Sequence, residues 1–170
     1  MESKDADGKF VCYESRLLRD WVASVGRHQS EKKNDKPVKM NKTRVNRLCV
    51  LTSKEPSELE MERKIFAAFV ISEVEVGDEN AEGNVHAHPK FRIELSPAEA
   101  QHVRFWDYHK NKSKMEMPFW GSGLLRYITD AQSINILKGM MEATQNPEKK
   151  AQIMEALEYY CRVTAAAVAK

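Results

Sequence analysis

The stretch Lys64–Val76 reads KIFAAFVISEVEV and carries the clearest strand signal in the chain. Its β-branched and aromatic residues favour extended backbone. The run is apolar throughout from Ile65 to Ile71 and then alternates between polar and apolar residues. A continuous apolar run predicts a strand that is covered on both faces, whereas alternation predicts one face in solvent. We therefore expect this strand to begin inside a sheet and to emerge into solvent at its end.

Two shorter strands and two acidic loops surround this strand. The strand signals are Arg47–Thr52, a short apolar run, and Lys90–Leu95, which alternates. The acidic loops are Ser53–Glu62 and Gly77–His88. Residues 27–44 are highly charged and show no periodicity, which is typical of a surface loop or linker.

Helix signals flank these strands. Glu14–Val25 places its apolar residues on one helical face. Ser96-Pro97-Ala98-Glu99 begins a short helix that reaches about Val103, because the serine can cap it and the glutamate can complete a capping box. Thr129 and Asn146 begin two longer helices. Strands and helices do not alternate, so we predict an α+β fold with a curled, mainly antiparallel sheet flanked by helices.

Size and composition fit one soluble domain. The chain has 170 residues, of which 42% are hydrophobic and 31% charged. We expect a polar tail at 1–12 and a single domain at 13–170, with its core at about 44–143 and a C-terminal helix at 147–168. No apolar run approaches the ~18 residues of a membrane helix, and the N-terminus does not resemble a signal peptide. A cytoplasmic location with free thiols is expected.

Aromatic residues concentrate between Phe105 and Tyr127, where periodicity is unclear. Such rings either fill a core or stack on a flat ligand. If they bind a ligand, the candidate walls and edge donors are Trp106, Tyr108, Trp120, Gly121 and Ser122. If they are structural, the Gly-Ser-Gly sequence is only a tight turn. The segment is also expected to complete the sheet, because a barrel needs about five strands and only three are recognisable.

The net charge of +2 conceals a basic segment beside an acidic one. Gly26–Arg47 carries eight basic and two acidic residues, and Thr52–Glu82 carries three basic and nine acidic residues. The basic segment could follow a nucleic-acid backbone or form a solvated loop. The candidate phosphate contacts are Lys39, Lys42, Arg44 and Arg47. Arg126 either forks onto a base or phosphate, or pairs with Asp107 or Asp130.

The order of these elements resembles the PUA-like superfamily, in particular its EVE, YTH and ASCH branches. The resemblance covers about Arg47 to Met141. It is carried by three features: a short strand that ends in two hydroxyl residues (Leu48-Cys49-Val50-Leu51-Thr52-Ser53), the long strand after a charged loop, and a further strand before a Ser-Pro helix start.

This resemblance implies a PUA-like pseudo-barrel that binds RNA or DNA, and several such domains hold one modified base in an aromatic pocket. It also implies that Thr52 and Ser53, at a strand end, face the aromatic segment. We therefore expect a nucleic-acid-binding domain that reads a modified or flipped base. The expected partner is RNA or DNA, with a partner protein as a further option and no membrane.

Two other classes of function remain open. Thr52, Lys54 and Glu55 cluster after a strand, and some ASCH-type domains are hydrolases or nucleases that use such residues; a lysine base would need burial. A protein-interaction module would instead place the basic segment on an acidic partner. His86 and His88 have no cysteine nearby, so we predict no metal. No cofactor and no catalytic residue are predicted.

Overall fold

The structure is a computed structural model that describes residues 2–4, 10–12, 20–24, 36–37, 40–79, 81–111, 118 and 125–168. The strands within these ranges are β1 (Glu2–Lys4), β2 (Phe10–Cys12), β3 (Val22–Ser24), β4 (Leu48–Ser53), β5 (Lys64–Glu75) and β6 (Asn84–Glu94). The helices are a 3-10 helix (Glu60–Glu62), α1 (Pro97–Ala100), α2 (Phe105–Tyr108), α3 (Asp130–Ala143) and α4 (Pro147–Val168).

Strands β3 to β6 form one antiparallel sheet in the order β3-β6-β5-β4. The pairing register shifts after Leu51 and again between Phe69 and Glu73, and such irregularities bend and twist a sheet. The predicted α+β class, with a curled, mainly antiparallel sheet flanked by helices, is confirmed. Within the expected polar tail, β1 and β2 pair with each other as a separate two-stranded sheet.

The central strand β5 is covered on both faces where its sequence is continuously apolar. Ala67 to Ile71 are all buried, whereas Ser72 and Glu73 are exposed. One face packs against α3 and α4 in a large apolar core that includes Ile93, Leu137 and Tyr160. The other face carries a smaller cluster around Phe69, against which Trp21 and Met40 pack. The predicted burial of this strand is therefore confirmed.

The predicted helix starts are confirmed because their capping bonds are present. Ser96 accepts a hydrogen bond from the Glu99 N–H, and the Glu99 carboxylate accepts one from the Ser96 N–H at 2.7 Å. Thr129 and Gln132 form the same reciprocal pair at the start of α3. The Asn146 side chain accepts bonds from the first N–H groups of α4. These bonds satisfy donors that a helix start leaves unpaired.

Two predictions about local structure are wrong. Val22–Ser24 is a strand rather than the end of a helix, because it pairs with β6 and buries Ala23 in the smaller apolar cluster. The rest of the predicted helix, apart from Asp20 and Trp21, lies outside the described residues. The acidic loop predicted to extend to His88 is shorter, because β6 begins at Asn84 and pairs with both β3 and β5.

The aromatic segment does not supply the fourth strand of the sheet in the part that is described. Phe105–Tyr108 forms the single helical turn α2, and Arg104 makes only an isolated bridge to Lys64. The fourth strand is β3 instead. Residues 112–117 and 119–124 of this segment fall outside the described ranges.

Candidate functional site

Trp106 is fixed between the start of β5 and the 3-10 helix. The Phe105 N–H donates to the Arg63 carbonyl at 2.8 Å, which ties α2 to the residue before β5. The Trp106 indole then donates through Nε1 to Glu60 Oε1 at 3.1 Å. The ring is half-buried, and it also packs against the large core. Trp106 therefore combines a structural contact with an accessible ring.

Glu60 is the acceptor that orients this region. Its two carboxylate oxygens accept from the Arg63 guanidinium at 2.6 and 2.9 Å, in addition to the Trp106 indole. Burial would raise the pKa of Glu60, but the hydrogen bonds and charge of Arg63, with the Trp106 bond, outweigh burial and lower it. The carboxylate is thus ionised at neutral pH and holds a tryptophan and an arginine together.

Arg126 lies over the Trp106 ring, with Cζ 5.4 Å from the ring centroid. Its guanidinium also donates to Asn111 Oδ1 at 3.0 Å. The carboxylates predicted as alternative partners are engaged elsewhere, Asp107 with Arg104 and Asp130 with Arg47. The structure therefore joins two of the predicted site residues, and we call Trp106 and Arg126 the Trp106 stack.

His109 belongs to the same cluster and was not predicted from the sequence. Its ring stacks on Phe105 with centroids 5.2 Å apart, and it lies 5.9 Å from the Trp106 ring. Burial lowers the pKa of His109, and the positive charge of Arg126 lowers it further. The imidazole is therefore neutral at pH 7, which avoids a second cation beside Arg126.

Tyr108 packs on α3. A Cβ atom added to Gly139 would lie 1.8 Å from the Tyr108 hydroxyl oxygen, so the ring depends on a glycine at that position. The Tyr108 carbonyl accepts from Gln132 Nε2 at 2.9 Å. Burial raises the pKa of the Tyr108 hydroxyl. These contacts are those of a packed ring, and a role of Tyr108 as a pocket wall stays a prediction.

Three predicted phosphate contacts lie in residues 40–47, which we call the basic loop. Lys42 and Arg44 are exposed, and the Arg44 guanidinium donates to the Asn41 and Thr43 carbonyls at 3.0 and 2.7 Å. Arg47 forms an ion pair with Asp130. Burial would raise the pKa of Asp130, but Arg47 and the Tyr160 hydroxyl lower it. Arg47 therefore anchors the loop, and the other two cations face solvent.

Tyr127 connects the basic loop to the Trp106 stack. The Lys42 N–H donates to the Tyr127 hydroxyl at 3.2 Å, and Lys42 Nζ lies 6.0 Å from the ring centroid. The Tyr127 residue is 42% exposed. Tyr127 follows Arg126 directly in the chain. The Cα atoms of these two residues are therefore about 3.8 Å apart. The two groups of predicted residues are thus neighbours in the fold.

Thr52 and Ser53 lie on the other side of β5 from α2. They end β4 and pair with Ile65 and Lys64. On the opposite edge of β5, the Ile65 N–H donates to the Val103 carbonyl at 2.8 Å. Because β5 lies between them, the end of β4 and the segment at Val103 are roughly 10 Å apart. The remaining predicted residues, Lys39, Trp120, Gly121 and Ser122, lie outside the described ranges.

The residues considered for a metal or for catalysis have structural contacts. His86 Nε2 lies 3.0 Å from Glu75 Oε1, and the His88 ring stacks on Phe91 at 4.6 Å. Lys54 Nζ donates to the carbonyls of Glu55 and Glu58 at 3.2 and 3.1 Å. Within the described ranges no three or more His, Cys, Asp or Glu side chains group as metal ligands.

No helix among the described residues is long and apolar enough to cross a membrane. In comparisons with known proteins, no family model, no curated protein and no solved structure matches the chain. The resemblance to PUA-like domains therefore stays a prediction.

Proposed function

We propose that the chain binds RNA or DNA along a surface that runs from the basic loop to the Trp106 stack. The observation that carries this proposal is that Arg126, which lies over the Trp106 ring, is followed directly by Tyr127, which contacts Lys42 of the basic loop. Cations beside exposed rings are the elements of single-strand recognition, because phosphates need charge and unstacked bases need flat surfaces.

The phosphate contacts are assigned to Lys42 and Arg44. Both side chains are exposed, and Tyr127, which contacts Lys42, is 42% exposed. Arg47 contributes less charge to a ligand, because Asp130 pairs with it. Contacts of this kind set the affinity and its salt dependence rather than the preference for a base sequence.

The base contact is assigned to the guanidinium plane of Arg126. Its Cζ atom lies 5.4 Å from the Trp106 ring centroid, and the guanidinium donates a hydrogen bond to Asn111 Oδ1 at 3.0 Å. A guanidinium is a flat cation with several donors, and beside an aromatic ring it can stack on an unstacked base or fork onto a phosphate. A flipped or modified base is a ligand class that uses such contacts.

Arg126→Lys tests this assignment, because it keeps the positive charge and removes the plane. We expect the affinity for a labelled single-stranded oligonucleotide to fall about tenfold, since base stacking contributes roughly 1–3 kcal/mol per base. Fluorescence anisotropy measures the affinity. Arg104→Lys is the matched control, because Arg104 is an exposed arginine that directly precedes α2 and pairs with Asp107. A folded Arg126→Lys variant with unchanged affinity would remove Arg126 from the proposed site.

A further inference from the structure

A groove that shares no residue with the Trp106 stack lies between β6 and the first turns of α4. Its volume is about 450 Å³ and it is open to solvent. Its lining residues are Trp21, Arg92, Glu94, Ser96, Lys149 and Gln152. The lining combines one flat ring with charged side chains of both signs, and convergent polar groups beside an aromatic ring can fix the orientation of a ligand.

Trp21 reaches this groove from a strained backbone. Its φ angle of 52° lies in the left-handed region, which bulky residues rarely adopt. The conformation is held by a hydrogen bond from the Ala87 N–H to the Trp21 carbonyl at 3.0 Å and by an edge contact of the indole with Phe69 at 6.2 Å. Strain of this kind persists where the surroundings enforce it and is often found at binding sites.

Arg92 is the donor in the groove whose hydrogen bonds are least satisfied. Its guanidinium lies 5.9 Å from the Trp21 ring centroid. Among the residues that the structure describes, its guanidinium makes one hydrogen bond, a long contact of 3.5 Å from Nη2 to the Ala87 carbonyl, and its buried Nε has no partner. A guanidinium presents five donors in a planar fork, so its two terminal nitrogens keep donors for a ligand.

The other polar groups of the groove already form ion pairs or hydrogen bonds within the protein, or they are acceptors. Lys149 forms an ion pair with Glu99 at 2.6 Å, so its charge is balanced. The Gln152 amide donates to the Arg92 carbonyl at 2.7 Å, which satisfies that backbone acceptor of β6. Glu94 is exposed two residues beyond Arg92, and alternation along a strand puts both side chains on one face. Arg92 is thus the cation in this lining with the least compensation.

We propose that this groove binds a ring-bearing oxyanion. The phosphate or carboxylate of the ligand is held by the Arg92 fork, and its ring rests against Trp21. The volume falls within the range of small-molecule sites. This site does not rest on nucleic-acid binding by the Trp106 stack, because the two share no residue.

Nuclear magnetic resonance of the ¹⁵N-labelled full chain tests this proposal. The probes are AMP, benzoate, inorganic phosphate and adenosine, which separate the ring from the anion and a phosphate from a carboxylate. We expect AMP or benzoate to shift the Trp21 indole signal, to leave that of Trp106 in place, and to bind at least about tenfold more tightly than phosphate or adenosine. No shift at Trp21 with any probe, or a shift at Trp106 instead, would overturn it.

Two variants that change the charge of the groove should change its affinity for anions in opposite directions. Arg92→Gln should weaken binding of the ring-bearing anion by at least about tenfold, because a charged hydrogen bond is lost. Glu94→Gln should strengthen binding of inorganic phosphate about threefold, because a negative charge leaves the groove. A gain cannot come from misfolding, so Glu94→Gln decides if Arg92→Gln does not fold.

Glu158→Gln is the matched control, because Glu158 is an exposed residue of α4 outside the groove. Unchanged affinities in both groove variants would overturn the proposal. Arg126→Lys should leave AMP binding as it is, so failure of the nucleic-acid proposal and failure of the groove are distinguishable.

Discussion

At the scale of single residues, His109 is a side chain on which burial and a neighbouring charge act in the same direction. Both burial and Arg126 lower its pKa in the folded chain. The unfolded chain, with an imidazole pKa of about 6.5, binds the proton first as the pH falls. The stability that neutral His109 contributes is therefore fully present above about pH 6.5. It is lost as the pH falls through the folded pKa.

We predict that His109→Gln loses less stability than the wild type between about pH 7.5 and 5.5, on either side of the unfolded imidazole pKa. Urea unfolding at the two pH values measures the difference. His102→Gln is the control, because His102 is exposed and precedes the same helix. An equal loss of stability in the wild type and in His109→Gln would show that His109 titrates alike in both states.

Both residues of the Trp106 stack were predicted from the sequence, but the residues that support them were not. Trp106 and Arg126 were candidates because rings and a planar cation recur in one segment. Glu60 was missed because it lies 46 positions away from the indole that it binds, within what reads only as an acidic loop. The pair of Glu60 and Arg63 at an i,i+3 spacing was the available local signal. Which ring it meets is a property of the fold.

At the scale of elements, Gly139 sets the distance between α2 and α3. An alanine inside a helix is normally more favourable than glycine by about 1 kcal/mol. Here the added Cβ would lie 1.8 Å from the Tyr108 hydroxyl oxygen and 2.8 Å from Cζ. We predict that Gly139→Ala lowers the free energy of unfolding by about 1–3 kcal/mol, because the helices must separate. Urea unfolding followed by circular dichroism measures this change.

Tyr108→Leu provides the control for this clash. In that background the ring is gone, so Gly139→Ala should be neutral or stabilising by up to about 1 kcal/mol. A loss of the same size with and without the tyrosine would mean that Tyr108 does not pack on Gly139.

Glu99 ties α1 to α4. The hydrogen bond from Lys149, followed by that from Thr144, lowers the pKa of Glu99 to about 2. A carboxylate with a depressed pKa contributes stability above its unfolded pKa of about 4.3, and this contribution is lost as the pH falls towards the folded value. We predict that Glu99→Gln costs about 1–2 kcal/mol at pH 7.

The difference in unfolding free energy between Glu99→Gln and the wild type should close as the pH falls from about 4.3 towards the folded pKa of about 2. Denaturant unfolding across that range checks this trend. Glu158→Gln should behave like the wild type, since that residue is exposed on the outer part of α4. A cost for Glu99→Gln that is independent of pH would contradict an ionic role.

Local signals predicted the elements whose formation is local. The long apolar run of β5 and the caps of α1, α3 and α4 identified these elements from the sequence. Strand β3 was missed because it is only three residues long and exists through its pairing with β6. The start of β6 was missed because Asn84–His88 is polar in part and is extended by two neighbouring strands.

At the scale of the whole molecule, the fold class was predictable and the arrangement of the site was not. Periodicity and caps indicate a sheet with helices, whereas the order β3-β6-β5-β4 depends on contacts between distant segments. The same contacts place the basic loop beside Tyr127, 85 residues further along the chain. No composition or spacing rule indicates that contact.

Nucleic-acid binding tests the central proposal for the whole molecule most directly. The measurement is the affinity for single-stranded RNA and DNA between about 50 and 200 mM salt, a range over which phosphate contacts weaken strongly. The compared proteins are the wild type, the double variant Lys42→Ala/Arg44→Ala, and the control Lys138→Ala/Lys150→Ala, which removes the same charge from α3 and α4.

We predict that the wild type binds and that its affinity falls with salt. The double variant of the basic loop should reduce the log–log slope by about 1.4, since each single-strand phosphate contact contributes about 0.7. The control variant should keep the wild-type slope. Absence of binding to either strand at the lowest salt, or an equal loss in both double variants, would contradict the proposed surface.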